Sequence, residues 1–233
     1  SFLAMNIAMS FAIKKKRILV IDGDLRHGST SSYVDSPKTG LSDYLGNRVS
    51  DWKEIIVKDE KYDNLHIIPI GTVPPNPTEL LEDGKLATLI EVLRSEYDYI
   101  FIDCPPSLGL ITVNALTASD SILIPIQCEY YALEGLTQLM QTVRTVKRLY
   151  NSSITVEGVL LTMYDSRLNL TNQVVGEIKK YFADKVFRST VPRSVRISEA
   201  PSYGEPICYY DKANRGTLAY QRVAEELLER NRK

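Results

Sequence analysis

Short apolar runs rich in β-branched residues recur along the chain, and longer stretches of helical periodicity separate them. Residues 17–22 (RILVID), 64–70 (NLHIIPI), 97–103 (YDYIFID), 121–126 (SILIPI), 155–162 (TVEGVLLT) and the shorter 186–191 (VFRSTV) read as buried strands. Residues 2–13, 83–95, 133–149, 170–182 and 217–230 carry the spacing of helices. Strands that alternate with helices need crossover connections, so the pattern predicts an α/β fold with a doubly wound, mostly parallel sheet. No internal repeat, low-complexity tract or linker interrupts it, which predicts one domain over residues 1–233. The final helix sets Leu218, Val223, Leu227 and Leu228 on an apolar stripe beside Glu225, Glu226 and Glu229. Those acids would repel anionic lipid, so the stripe predicts docking on the body of the domain rather than on a membrane.

Ligands of such sheets sit at the carboxyl ends of the strands. Asp22, Asp24 and Asp103 all fall at or just beyond such an end. Four apolar residues followed by Asp103 form a Walker B pattern, whose carboxylate can hold Mg²⁺, usually through water. Any buried strand can end in Asp, but the rigid turn that follows (CPPSLG, residues 104–109) is unlike ordinary helix-start chemistry. In ILVIDGDLR (residues 18–26) two carboxylates flank a glycine, so one can serve the ion while the other orients an attacking water. A polar strand end capped by Asp is the plainer alternative for that segment. The chain contains no G-x-x-x-x-G-K-[ST] phosphate loop. Ser1, followed at once by a helical apolar pattern and then by RILVID, has the layout expected downstream of such a loop, with Ser1 as its hydroxyl residue. The expectation is a fold that lacks the first strand and most of the P-loop, and a 233-residue chain that binds ATP poorly.

Composition narrows this reading little. Lys and Arg (28) nearly balance Asp and Glu (29), so any nucleic-acid contact must come from a local basic face. Arg188, Arg193, Arg196 and Arg215, with Lys179, Lys180 and Lys185, offer one in the carboxyl-terminal third, although charge alone fits a solvated helix surface equally well. Cys104, Cys128 and Cys208 lack metal-ligand spacing, and with two histidines a His/Cys metal site is not expected. No apolar run reaches the ~18–20 residues of a membrane span, and no signal peptide opens the chain, so the default expectation is the cytoplasm. The pairs Tyr130–Tyr131 and Tyr209–Tyr210 are expected to pack in a core or interface rather than to act as phosphorylation sites.

From Tyr97 to about Glu229 the chain resembles the ParA/Soj partition ATPases of the deviant-Walker ParA/MinD group. The blocks that carry this are FIDCPPSLGLITVNAL, IPIQCEYYALEGLTQL, GVLLTMYDSRLNLTNQVV and VPRSVRISEAPSYGEPI, followed by RGTLAYQRVAEELLE. The resemblance implies ATP and Mg²⁺ as cofactors, a nucleotide-sandwich homodimer, DNA binding without sequence preference, a ParB-type stimulating partner and a cytoplasmic, nucleoid-associated protein. By it, Asp103 is the Walker B acid and Asp24, with Asp22 beside it, belongs to hydrolysis. It further implies Ser1, Asp22 and Asp103 at the metal, Ser1, Asp103 and Pro192 at the nucleotide, and Arg193 and Arg196 at DNA. Residues 1–96 depart from that pattern: LRHGSTSSYV follows Asp24 where ParA proteins have Pro-Gln-Gly-Asn. With GLSDYLGN and LHIIPIGTVPPNPTELL, this part resembles the bacterial tyrosine kinases of polysaccharide export, although their carboxyl-terminal tyrosine cluster is absent. The expectation is a change of resemblance at 97–106, with a tyrosine kinase or a non-catalytic hybrid as the alternatives to a partition ATPase.

Overall fold

A computed structural model describes residues 1–28, 30–34, 38–129 and 131–232. The chain divides into two compact units, Ser1–Ala118 and Ser119–Lys233.

The first unit opens with α1 (Phe2–Ile13), which leads into β1 (Ile18–Asp22). Residues 5–12 of α1 are buried on every side, and the two polar side chains among them, Asn6 and Ser10, donate back to carbonyls of the helix. Phe11 packs edge-on against Tyr99 and Phe101, with ring centroids 4.7 and 5.4 Å away. Then come α2 (Leu41–Leu45), the two-residue β2 (Val57–Lys58), β3 (Leu65–Ile68), α3 (Lys85–Leu93), β4 (Tyr99–Asp103) and α4 (Leu110–Ala118). The sheet order is β2-β3-β1-β4. β1 pairs parallel with β3 and β4, while β2 joins β3 antiparallel. In the β1–β4 register Asp22 stands opposite Asp103. One core cluster, from Leu19 and Ile21 to Leu86, Leu89 and Leu93, backs this sheet.

The loop that opens α2 is locked onto the end of β3. Asp43 accepts from the amides of Gly40 and Thr72 at 3.0 Å each, and Arg48 Nε lies 3.3 Å from its carboxylate. Gly71 adopts φ 73°, and a Cβ there would stand 2.1 Å from Asp43 Oδ2. The GLSDYLGN and PIGT segments are therefore tied together by a buried carboxylate.

The second unit holds β5 (Ser121–Gln127), α5 (Ala132–Leu149), β6 (Thr155–Thr162), α6 (Asn169–Phe182), α7 (Val195–Glu199), α8 (Ile207–Tyr210) and α9 (Arg215–Arg230). β5 and β6 pair in parallel, and Ile124, Ile126, Val159 and Leu161 meet Leu136, Val174 and Ile178 in a second core.

The α/β class, the mostly parallel sheet and helices over 2–13, 85–93, 132–149, 169–182 and 215–230 agree with the pattern of the sequence. Three expectations need correction. Residues 186–191 form no strand, only isolated bridges from Val186 to Val159 and from Pro192 to Tyr164. The amides of Arg188 and Ser189, which a ladder would need, donate instead to Glu226 at 2.8 Å each. Leu218 is 46% exposed, and the buried face of α9 is carried by Ala219, Tyr220, Val223, Ala224 and Leu227. Tyr131 is 82% exposed and so lies outside the core, and Tyr130 lies outside the described residues.

Candidate functional site

β1 is buried along its whole length and delivers Asp22 at its last position. β4 delivers Asp103 at the same level. Between them Gly23 donates its amide to the Asp103 carbonyl at 2.8 Å. A Cβ at Gly23 would stand 2.6 Å from that oxygen, so the two strand tips approach too closely for any other residue.

Two hydroxyl residues that the sequence reading did not single out complete this centre. Thr30, fully buried, donates from Oγ1 to Asp103 Oδ2 at 2.7 Å. Ser31 donates both its amide and its hydroxyl to Asp22 Oδ2 at 2.7 Å, and its Oγ accepts from the Ile70 amide at 2.9 Å. The loop after Asp24 thereby clamps the two acids and is itself anchored to the end of β3. The only trace of this in the sequence is the hydroxyl-rich run STSS, a composition shared by many loops.

Asp22 Oδ1 also accepts the Asp24 amide at 3.1 Å. Burial is the main cause that raises the Asp22 carboxyl above its ordinary range. Hydrogen bonds from Ser31 and Asp24 oppose this, and the charge of Asp103 adds to the rise. A cation between Asp22 and Asp103 would relieve both the burial cost and the mutual repulsion of the two acids. Ser1 lies beside the same carboxylate, its backbone nitrogen 3.0 Å from Asp103 Oδ1.

Asp24 is turned differently. Its Oδ1 accepts from the amides of Arg26 and His27 at 3.3 Å, and His27 Nδ1 lies 3.2 Å from Oδ2. His27 is a further neighbour of this site that the sequence did not mark. Tyr33 is pushed up to about 12 by burial and the nearby Asp103 charge. The Cys104 thiol is likewise pushed up to about 12, chiefly by burial and further by the Asp103 charge.

The donor set suits Mg²⁺, which takes hard oxygen ligands and is commonly held by one or two carboxylates with substrate phosphates. No group of three His, Cys, Asp or Glu among the described residues could hold an ion by itself. Two carboxylates are a donor set that suits an ion arriving with a phosphate-bearing ligand.

Pro192, Arg193 and Arg196 belong to the second unit. Pro192 bridges to Tyr164. Arg193 Nη2 donates to Glu129 at 3.3 Å, while its carbonyl accepts from Arg215 at 3.0 Å. Arg196 donates to Glu199 at 3.1 Å and to the Tyr210 hydroxyl at 3.3 Å. Both arginines are half exposed and already engaged by acids.

A parallel α/β sheet with acids at adjacent strand tips defines an α/β protein whose ligand site lies at the carboxyl ends of its strands. The cell division ATPase MinD of Pyrococcus furiosus superposes with a TM-score of 0.81 at 22% identity, over 98% of this chain and 92% of that one, a likeness of fold. Residues 2–156 match the family described as an AAA domain (AAA_31). The sporulation initiation inhibitor protein Soj of Bacillus subtilis (strain 168) is 44% identical over 235 residues, covering 96% of this chain and 91% of its own length. The chromosome partitioning protein ParA of Myxococcus xanthus (strain DK1622) is 42% identical, covering 98% of this chain and 83% of its own. The chain belongs to the Soj/ParA family of chromosome-partitioning ATPases. The AAA-domain match crosses residues 97–106, where a change of resemblance was expected, and takes in both sides.

Proposed function

We propose that the protein is an ATP-hydrolysing partition switch whose nucleotide and Mg²⁺ are held at Asp22 and Asp103. The observation that carries this is the pair of acids fixed at neighbouring strand tips by Thr30 and Ser31. A relative of the same fold, MinD of Pyrococcus horikoshii OT3, is described as complexed with Mg-ADP. Bound there, the ion would neutralise phosphate charge. Asp103 and Asp22 hold it from the protein side, with the Ser1 hydroxyl added. Asp24 orients the attacking water and accepts its proton. Pro192 contributes to the nucleotide's surroundings, and residues 1–233 act as one domain.

The same reading includes a homodimer that forms on ATP and binds DNA through Arg193 and Arg196 without sequence preference. A ParB-type partner stimulates hydrolysis, and the protein resides in the cytoplasm on the nucleoid. Family membership supports this, as does the placement of both arginines on an accessible face. The absence, among the described residues, of a helix long and apolar enough to cross a membrane is compatible with it.

The test is Asp24→Ala in the full-length gene product. It is expected to retain ATP and to lose turnover by about 100-fold or more, the range of a positioned base. Unchanged turnover would sink the assignment. A tyrosine kinase is the rival reading, and the exposed Tyr131 and Tyr181 would be its acceptors. Phosphotyrosine found by mass spectrometry after incubation with ATP would favour the rival.

A further inference from the structure

The first unit carries a second cavity at the opposite end of its sheet from the acids. It is a cleft of about 690 Å³, lined by residues that precede or flank the amino ends of β1, β3 and β4. The five residues of β1 put it roughly 16 Å from Asp22.

Its wall has three aromatic members. Trp52 and Tyr62 are half-buried, and Tyr97 is buried with its hydroxyl 2.6 Å from His66 Nδ1. His66 Nε2 is the one buried side-chain nitrogen or oxygen without a partner among the described residues. A buried polar atom left unpaired is costly, and a ligand that pairs with it removes that cost. Asn64 donates to the carbonyls of Ala12 and Lys16, so these acceptors at the end of α1 are already taken.

The rim is cationic. Lys15, Arg17, Lys53, Lys58 and Lys61 line it, against Asp63 and Glu96. Arg17 is held by Asp98 at 3.1 Å, and Lys53 lies over the Trp52 ring at 5.6 Å. Lys15 and Lys58 make no salt bridge among the described residues. Lys15 also sits at φ 64°, a left-handed position after a helix where glycine is the ordinary choice. A lysine stands where the backbone favours glycine, and its ammonium lines this cleft.

We propose that this cleft binds a small anion of the nucleoside monophosphate class, separately from the carboxylate site. The aromatic wall takes the ring, and cations at the rim take the phosphate. His66 supplies a polar contact in the wall. The volume falls within the range of small-molecule sites.

Trp52 is the single tryptophan of the sequence and lines the cleft, so its fluorescence is a probe of binding there. Full-length protein would be titrated without Mg²⁺, using AMP, adenosine and inorganic phosphate as separate probes. A saturable change with AMP is expected, with adenosine and phosphate each at least about tenfold weaker. Lys15→Gly, which relaxes the backbone as it removes the charge, and Lys58→Gln should each weaken AMP about tenfold. Asp103→Asn should leave AMP binding unchanged. A flat titration overturns the proposal, as does a response indifferent to both lysine variants. A response lost in Asp103→Asn assigns the signal to the carboxylate site and equally overturns it. Phosphate binding as well as AMP removes the role of the aromatic wall and refutes the nucleotide class.

Discussion

Gly23 has no room for a side chain, because the carbonyl of Asp103 occupies the place where a Cβ would go. Its smallness sets the separation of the two strand tips, and with it the separation of Asp22 and Asp103. Gly23→Ala is therefore expected to push the carboxylates apart without dismantling the sheet. Misplacement on this scale costs about 100-fold in turnover, and overpacking about 1–3 kcal/mol in stability. ATPase rates and a urea melt of the full-length protein would check both numbers. Wild-type turnover in that variant would show that the close approach is structural only. The two acids were legible in the sequence because each ends an apolar run. Thr30 and Ser31 were not, because nothing local says that two hydroxyls several residues beyond β1 meet the last side chains of β4 and β1.

Among the elements, α9 shows how one side chain can replace a strand. Glu226 is buried on the helix and accepts from the Arg188 and Ser189 amides, while Arg230 donates to it at 2.9 Å. Burial works to raise its carboxyl, but the backbone bonds from Arg188 and Ser189 and those from Ser189 and Arg230 side chains more than offset it, so the net direction is down. A depressed carboxylate stabilises the fold above its unfolded value of 4.5, and that contribution is lost as pH falls through the folded value. Glu226→Gln is expected to destabilise by about 3 kcal/mol at pH 7, because it breaks a buried charged network. The gap to wild type should close as the pH drops below 4.5, as read from denaturant melts across pH. A gap that stays constant with pH would assign the loss to shape rather than charge. The apolar period of α9 was clear in the sequence; the competition between its glutamate and the 186–191 ladder was not, since it joins residues nearly forty positions apart.

For the whole molecule the balance of charge is close to zero, with a formal net charge of −1, so DNA attraction must be local. Arg193 and Arg196 are each engaged by an acid, Glu129 and Glu199. DNA phosphates would have to compete with these partners. Arg193→Ala and Arg196→Ala are expected to weaken binding uniformly across DNA sequences, each reducing the salt slope by about 0.9. Glu129→Gln should do the opposite and strengthen binding. Fluorescence anisotropy at several salt concentrations distinguishes these cases, and a loss confined to particular sequences would contradict the proposal.

The sequence by itself determined the α/β class, the positions of five parallel-type strands and five long helices, and the placement of Asp22 and Asp103 at strand ends. These follow from hydrophobic periodicity, which is a local property of the chain. It also misled locally: 186–191 is β-branched enough for a strand, yet two of its amides, those of Arg188 and Ser189, donate to a glutamate of a helix. The departure after Asp24, which drew residues 1–96 towards the tyrosine kinases, proves to be the loop that brings Thr30 and Ser31 back to the acids. The segments 40–43 and 69–72, read with it, form a lock around Asp43. Only the tertiary structure decided these matters, together with the cleft that surrounds Trp52 and His66. Each depends on contacts between distant segments, and the burial that makes those contacts consequential exists only once the chain has folded.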